Sequence, residues 1–154
     1  MSTTLPPPSP DLGRAIIGLW RLLTREDYDR DGRRRIDPIM GPHPLGVLCF
    51  APGYFAAQFM NPDRTGTSGA GPTSSGANNS GAVNGYDAYF GTYTLDEVTG
   101  TVTVRLEGAL SPANIGHALT RDIRVERDRL IIQLATTAAD GTPVTRTLTF
   151  ARNG

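Results

Sequence analysis

The chain has 154 residues, of which 38% are hydrophobic, and it contains 18 Gly, 12 Pro and a single Cys. A chain of this length is one domain able to bury roughly two-thirds of its unfolded surface without a covalent staple, and one Cys excludes an internal disulfide. Its 15 basic residues balance 15 acidic ones, which removes any global attraction to nucleic acid or to an anionic membrane.

Residues 1–10 (MSTTLPPPSP) are polar and proline-rich, so a disordered tail is expected there, followed by one folded domain over residues 11–154. The absence of an apolar leader in this tail gives the expectation of a cytoplasmic location. Ser9 as N-cap and Pro10 at the first helical position, with Leu12, Ala15 and Ile16 at helical spacing, predict one or two helical turns closing one end of the fold. Gly18-Leu19-Trp20 then opens a strand reaching about Glu26. Asp29 to Gly32 (DRDG) turns the chain, and Arg33 to Ile39 can pair back. Asp27, Asp29 and Asp31 alternate as calcium ligands do, but no Glu closes the loop and no helices flank it, so a plain turn is expected.

Gly46 to Phe50 and Tyr54 to Met60 form the next hairpin, through Ala51-Pro52-Gly53 with Pro and Gly at the turn corners. The second arm is apolar on both sides, with Tyr54, Ala56, Gln58 and Met60 on one face and Phe55, Ala57 and Phe59 on the other. That composition suits a cavity wall which is also packed outside. Residues 61–85 are Gly- and Ser-rich with almost no large apolar side chain, the composition of a flexible loop: a lid, a binding loop or an insertion.

Strand pattern resumes with Tyr86 to Leu95, where Tyr89, Gly91 and Tyr93 share a face, and continues through Thr101 to Leu110. Gly116 to Glu126 alternates cleanly, placing His117, Leu119, Arg121, Ile123 and Val125 inward and Arg124 outward. The neighbouring strand matches with Val102, Val104 and Leu106 inward and Arg105 opposite Asp122. In the last hairpin Leu130, Ile132 and Leu134 face Val144, Arg146, Leu148, Phe150 and Arg152, with Ala139-Asp140-Gly141 as the turn. Arg121 and Arg146 thus lie on strands flanking one central strand and can converge inside. A buried guanidinium must be paired or hydrogen-bonded, and the inward set offers His117, Gln58 and tyrosines but no certain carboxylate. The alternative is that these arginines reach water at the mouth, or pair with Glu107 if the register slips by one.

Trp20 and Arg152 form a second constellation. If the sheet closes, the last strand lays Arg152 across the indole as a cation on a π face, a purely structural pair. Gly18-Leu19-Trp20, Gly41-Pro42, Gly46, Gly53-Tyr54, Gln58-Phe59-Met60, Pro62-Asp63-Arg64, Tyr89-Phe90-Gly91-Thr92-Tyr93, Glu107-Gly108, Pro112, Asn114, Gly116 and Arg121 stand in an order and spacing that resemble the lipocalin-like domain family of small bacterial and fungal proteins, over roughly residues 15–152. The resemblance implies an all-β fold, an eight-stranded antiparallel up-and-down barrel with the short helix at one end. It also implies small apolar ligands, often in specialised metabolism, and no shared activity.

Small inward residues such as Ala56, Gly91, Val102, Val104 and Gly108 lead to the expectation of a cavity of roughly a few hundred Å³. Its expected occupant is a small hydrophobic metabolite bearing a carbonyl or carboxylate, bound by Tyr54, Gln58, Met60, Tyr89, Phe90, Leu106 and Leu119. Arg121 and Arg146 would stabilise an enolate or carboxylate, while Tyr54, Tyr89, Tyr93 or His117 moves a proton. Such a site reads as a cofactor-free isomerase or cyclase of polyketide- or terpenoid-type metabolism; the alternative is a carrier that does no chemistry. An interaction module using the outer face of Tyr54 to Met60 is a third reading. His43 and His117 lack metal-ligand spacing, and no dinucleotide, Walker or nucleophile-elbow motif is present, so neither cofactor nor metal is expected. The oligomeric state is not set by the sequence.

Overall fold

Alternation of apolar and polar residues decides the architecture, because each strand so patterned needs one face covered and both edges paired. The computed structural model describes residues 4–64 and 82–153. After a single helical turn, α1 (Leu12–Ala15), come β1 (Gly18–Tyr28), β2 (Arg34–Arg35), β3 (Leu45–Ala51), β4 (Tyr54–Met60), β5 (Tyr86–Asp96), β6 (Thr101–Ala109), β7 (Ala118–Glu126), β8 (Arg129–Thr137) and β9 (Pro143–Arg152). Consecutive strands from β3 to β9 are hydrogen-bonded neighbours, β1 pairs with β3, and β9 returns to β1. The result is the expected closed eight-stranded antiparallel up-and-down barrel, with β2 as a short annex on β1. Closure removes every long free edge.

The closed end follows the expected plan with local differences. The helix is capped by Asp11 rather than Ser9 and has no side-chain capping bond. Its Leu12 and Ile16 are fully buried beneath the barrel. The Trp20 indole N–H donates to the Ile16 carbonyl at 2.9 Å, and the Arg152 guanidinium lies 4.1 Å from the indole centre. Arg152 also donates to the carbonyls of Ile17 and Ala15, so the pair ties the last strand to the helix. Arg124, expected to face solvent, is instead buried, because residues ahead of the helix cover it and the Pro6 carbonyl accepts a hydrogen bond from its Nε. Residues 1–3 of the expected tail lie outside the described residues.

The turn after β1 uses a side chain that the sequence offered. Asp29 Oδ1 accepts from the Asp31 and Arg33 amides, leaving only Arg34 and Arg35 to pair with β1 where Arg33 to Ile39 was expected. Residues 65–81, the greater part of the expected loop over 61–85, lie outside the described residues. The segments flanking them are joined, since the Asn61 amide donates to the Gly85 carbonyl at 2.7 Å.

Arg105 pairs with Ala118, and Asp122 with Thr101, so the expected Arg105–Asp122 pair does not form. The orientation of β6 and β7 is nonetheless as expected, because that error is an even number of residues. Between Phe90 and Gly91 the β5–β6 register shifts by a bulge. A Cβ on Gly91 would fall inside the carbonyl oxygen of Arg105, so only glycine fits this close approach. Gly91→Ala is expected to lower stability by about 1–3 kcal/mol, read as a lower urea midpoint with unchanged slope.

Candidate functional site

At the end of the barrel away from Trp20, four strands and one connection deliver charged side chains to the interior. A bulge in β1 between Leu22 and Thr24 changes which residues face inward, so that Trp20 and Leu22 are followed by Arg25 and Asp27. In β9, alternation continues inward through Phe150, Leu148 and Arg146, and Asp27 stands directly opposite Arg146. The match is bidentate: Arg146 Nε donates to Asp27 Oδ1 at 2.8 Å and Nη2 donates to Oδ2 at 3.0 Å. Both side chains are buried. Asp37, from the connection after β2, accepts from Arg25 at 3.1 Å and reaches within 3.8 Å of Arg146.

Arg121, on β7 opposite Val102 of β6, is the third cation. It donates to the Thr120 carbonyl at 2.9 Å, hydrogen-bonds Tyr89 and feels the Asp87 charge, both of which favour its protonated form. Burial is the larger influence and, with repulsion from Arg146, lowers its pKa. Arg25 is lowered likewise, first by burial and then by Arg146. For Arg146 burial also works against the charge, but the hydrogen bonds and charge of Asp27 outweigh it and the pKa rises. All three remain guanidinium ions at neutral pH.

These groups line one end of an internal cavity of about 80 Å³. Its apolar wall includes Phe50, Phe55, Phe59 and Phe150, and its polar end is Arg25, Asp37, Asp87, Tyr89, Arg121 and Arg146. The expected few hundred Å³ is not found, for a specific reason. In β4 it is Phe55, Ala57 and Phe59 that point inward, whereas Tyr54, Ala56 and Gln58 are exposed. Phenyl rings occupy space that Ala56 would have left open.

Of the expected site residues, Arg121, Arg146 and Tyr89 meet at this cavity. Leu106 and Leu119 are core side chains that do not reach its lining. Tyr93 faces inward but packs edge-on against Phe50, ring centres 5.0 Å apart; burial raises its phenol pKa, against a smaller opposing effect of the Gly53 backbone. The inward placement expected of His117 does not occur: it precedes β7 and is exposed. The ligand-facing positions expected for Tyr54, Gln58, Met60 and Phe90 lie on the outer wall instead, where Tyr54 Oη donates to Glu107 at 3.4 Å and Tyr86 Oη donates to Gln58 at 3.2 Å. The reason is parity: β4 puts Phe55 inside and β5 puts Tyr89 inside, so the even-numbered residues beside them face out.

The inward carboxylates, of which the sequence offered none with certainty, are Asp27, Asp37 and Asp87, which all reach the cluster, as does Arg25. One sequence signal pointed to Asp87, which shares alternation with Tyr89, Gly91 and Tyr93. Among the described residues no group of three or more His, Cys, Asp and Glu side chains is placed to hold a metal ion, and no helix is long and apolar enough to cross a membrane.

This chamber can offer a guest an apolar enclosure, the Arg121 guanidinium, the Tyr89 phenol and the buried Asp87 carboxyl. Comparison with known proteins adds the family: a family model described as a lipocalin-like domain matches residues 17–153. No curated protein matches the chain.

Proposed function

The chain belongs to the lipocalin-like domain family, and from that premise we propose that its barrel takes up a small, largely apolar molecule bearing a carbonyl and acts on it as a cofactor-free isomerase or cyclase. A lipocalin-like barrel in itself suggests small-molecule binding. The observation that carries the finer reading is the meeting of Arg121, Tyr89 and Asp87 at one end of an apolar chamber.

In this reading the Asp87 carboxylate removes a proton from the carbon next to the carbonyl, and Arg121 donates to the oxygen on which the negative charge then develops. Fixed donors in a water-poor site stabilise such an enolate without reorganisation. Tyr89, hydrogen-bonded to Arg121, relays the proton back at a different carbon or to the oxygen. Three aspartates already balance three arginines around the chamber, so a neutral carbonyl suits it better than a carboxylate, whose charge would have to enter beside Asp87. Ligand sites of drug-sized guests run from about 300 Å³ upward. A guest of polyketide or terpenoid size therefore requires movement of Ile39 and Met40, which line the cavity from the connection between β2 and β3.

A carrier without chemistry is the second reading, favoured by the engagement of Arg146 with Asp27 and of Arg25 with Asp37, which makes two of the three cations structural. Native mass spectrometry of protein purified from its producing cells, followed by incubation of the released compound with fresh protein and with Arg121→Ala and Arg121→Lys, separates the two. Loss of the donor set of Arg121 is expected to weaken retention about 10- to 100-fold. A compound altered by the wild type and unaltered by either variant supports the enzyme. One retained and returned unchanged supports the carrier, and retention that is indifferent to Arg121 overturns both.

A further inference from the structure

The hydrogen-bonded strands close on themselves, β9 against β1, and Leu12, Ile16 and Trp20, all fully buried, plug one end. A guest of the chamber therefore enters at the other end, past the connections that cross it. Among the described residues, the connections over 110–117 and 138–142 send no side chain to the chamber wall, and the one after β4 sends Ala82 alone. Residues 36–41, between β2 and β3, send Asp37, Ile39 and Met40. Met40 is only 2% exposed, although Pro38 and Pro42 on either side of it are exposed, so its side chain fills the mouth from above.

The segment is built as a unit. Asp37 Oδ1 accepts from the Ile39 amide at 2.9 Å, and the Asp37 carbonyl accepts from the Gly41 amide at 2.8 Å. Its turn is thus satisfied internally, and it carries no ladder bonds, since strand pairing stops at Arg35 and resumes at Leu45. The barrel holds it by side chains. Arg25 donates to Asp37 Oδ2 at 3.1 Å, Asn61 Nδ2 donates to the Ile39 carbonyl at 3.0 Å, and just ahead of it Arg35 donates to Asp140 at 2.6 Å. Beside it lies a crevice of about 170 Å³, between residues 35–38 and residues 138–140 of the β8–β9 turn. Asp37 is the one described residue that lines both crevice and chamber.

We propose that residues 36–41 are a gate over the chamber and that Asp37, gripping Arg25, is its latch. This rests on the uptake of a guest argued above and names what controls it. Moving as a unit toward the crevice, the segment withdraws Ile39 and Met40 from the mouth with its internal bonds intact and no ladder broken. The bonds from Arg25 and Asn61 are what must yield. An ion pair suits such a reversible closure, because opening hydrates both charges and offsets much of the attraction lost. Arg35–Asp140, with both partners at least one-third exposed, is the weaker tie.

Met40→Cys in a Cys49→Ser background tests the gate without any guest. The new thiol is shielded when the gate is shut and reacts with an aromatic disulfide reagent when it opens. Ile123→Cys in the same background is the reference: Ile123 is fully buried and off the chamber wall, so its thiol reacts only on global unfolding. The thiol of Met40→Cys is expected to react at least about 100-fold faster than the reference. Adding Asp37→Asn to the Met40→Cys chain, where the effect of the thiol itself cancels, is expected to raise its rate at least about 10-fold more. Should that chain not fold, Arg35→Ala is expected to raise it about 2- to 5-fold. The neutral dye N-phenylnaphthylamine, which brightens in apolar surroundings, is expected to enter faster by a similar factor in each variant. Equal rates for the two thiols overturn the gate. So does a fast rate at position 40 that neither Asp37→Asn nor Arg35→Ala changes, or dye entry that ignores both. Latch-dependent opening in a chain that never takes up the dye supports the gate and counts against the uptake reading instead.

Discussion

Replacing Asp27 by Asn is expected to lower the unfolding free energy by about 3–5 kcal/mol, more than any surface change in this protein. Its carboxylate is only 4% exposed and takes both ends of the Arg146 fork. Removing the charge strands a guanidinium that cannot become neutral, with Arg25 already repelling it. Asp37, 3.8 Å from Arg146, picks up part of the load, which places the effect toward the lower end of the range. Urea unfolding followed by Trp20 fluorescence measures it. The paired change Asp27→Leu with Arg146→Met is expected to recover most of the loss, because well-packed apolar residues often replace a buried ion pair at no net cost. A loss below about 1 kcal/mol for Asp27→Asn would mean that water screens the pair and that the polar end of the chamber is open.

That cluster is also where the sequence said least. The C-terminal strands alternate without interruption, so Arg121 and Arg146 could be placed inside from periodicity alone, and the Trp20–Arg152 pair followed from closure. Arg25 and Asp27 could not be placed. They face inward only because a bulge at Leu22/Thr24 changes parity, and since the inward residues after it are charged, hydrophobic alternation does not register the change. Residues 54–60 failed for the opposite reason: both faces are apolar, so nothing in the pattern says which one meets the core, and a wrong choice moves every side chain across the sheet. The same ambiguity inflated the expected cavity. Asp37 sits in a connection rather than a strand, where periodicity carries no information about direction.

Trp20→Ala is the companion test at the other end, with an expected loss of about 3–5 kcal/mol but a different functional outcome. Trp20 is fully buried, and its ring is held from above by Arg152 at 4.1 Å and at its edge by the Ile16 carbonyl. Truncation to Ala empties a volume that the closed end cannot refill, since α1 is a single turn whose Leu12 and Ile16 are already fully packed. It also removes the surface on which Arg152 rests, although Arg152 keeps its bonds to the carbonyls of Ile17 and Ala15. Arg152→Met, which keeps the apolar stem and removes the cation, is therefore expected to cost less, about 0.5–2 kcal/mol. Neither residue lines the cavity, so wherever the variant remains folded its ligand retention is expected to match the wild type. A Trp20→Ala protein that folds but loses its ligand would show that the two ends of the barrel are coupled, and the closing pair would then belong to the binding site as well as to the fold.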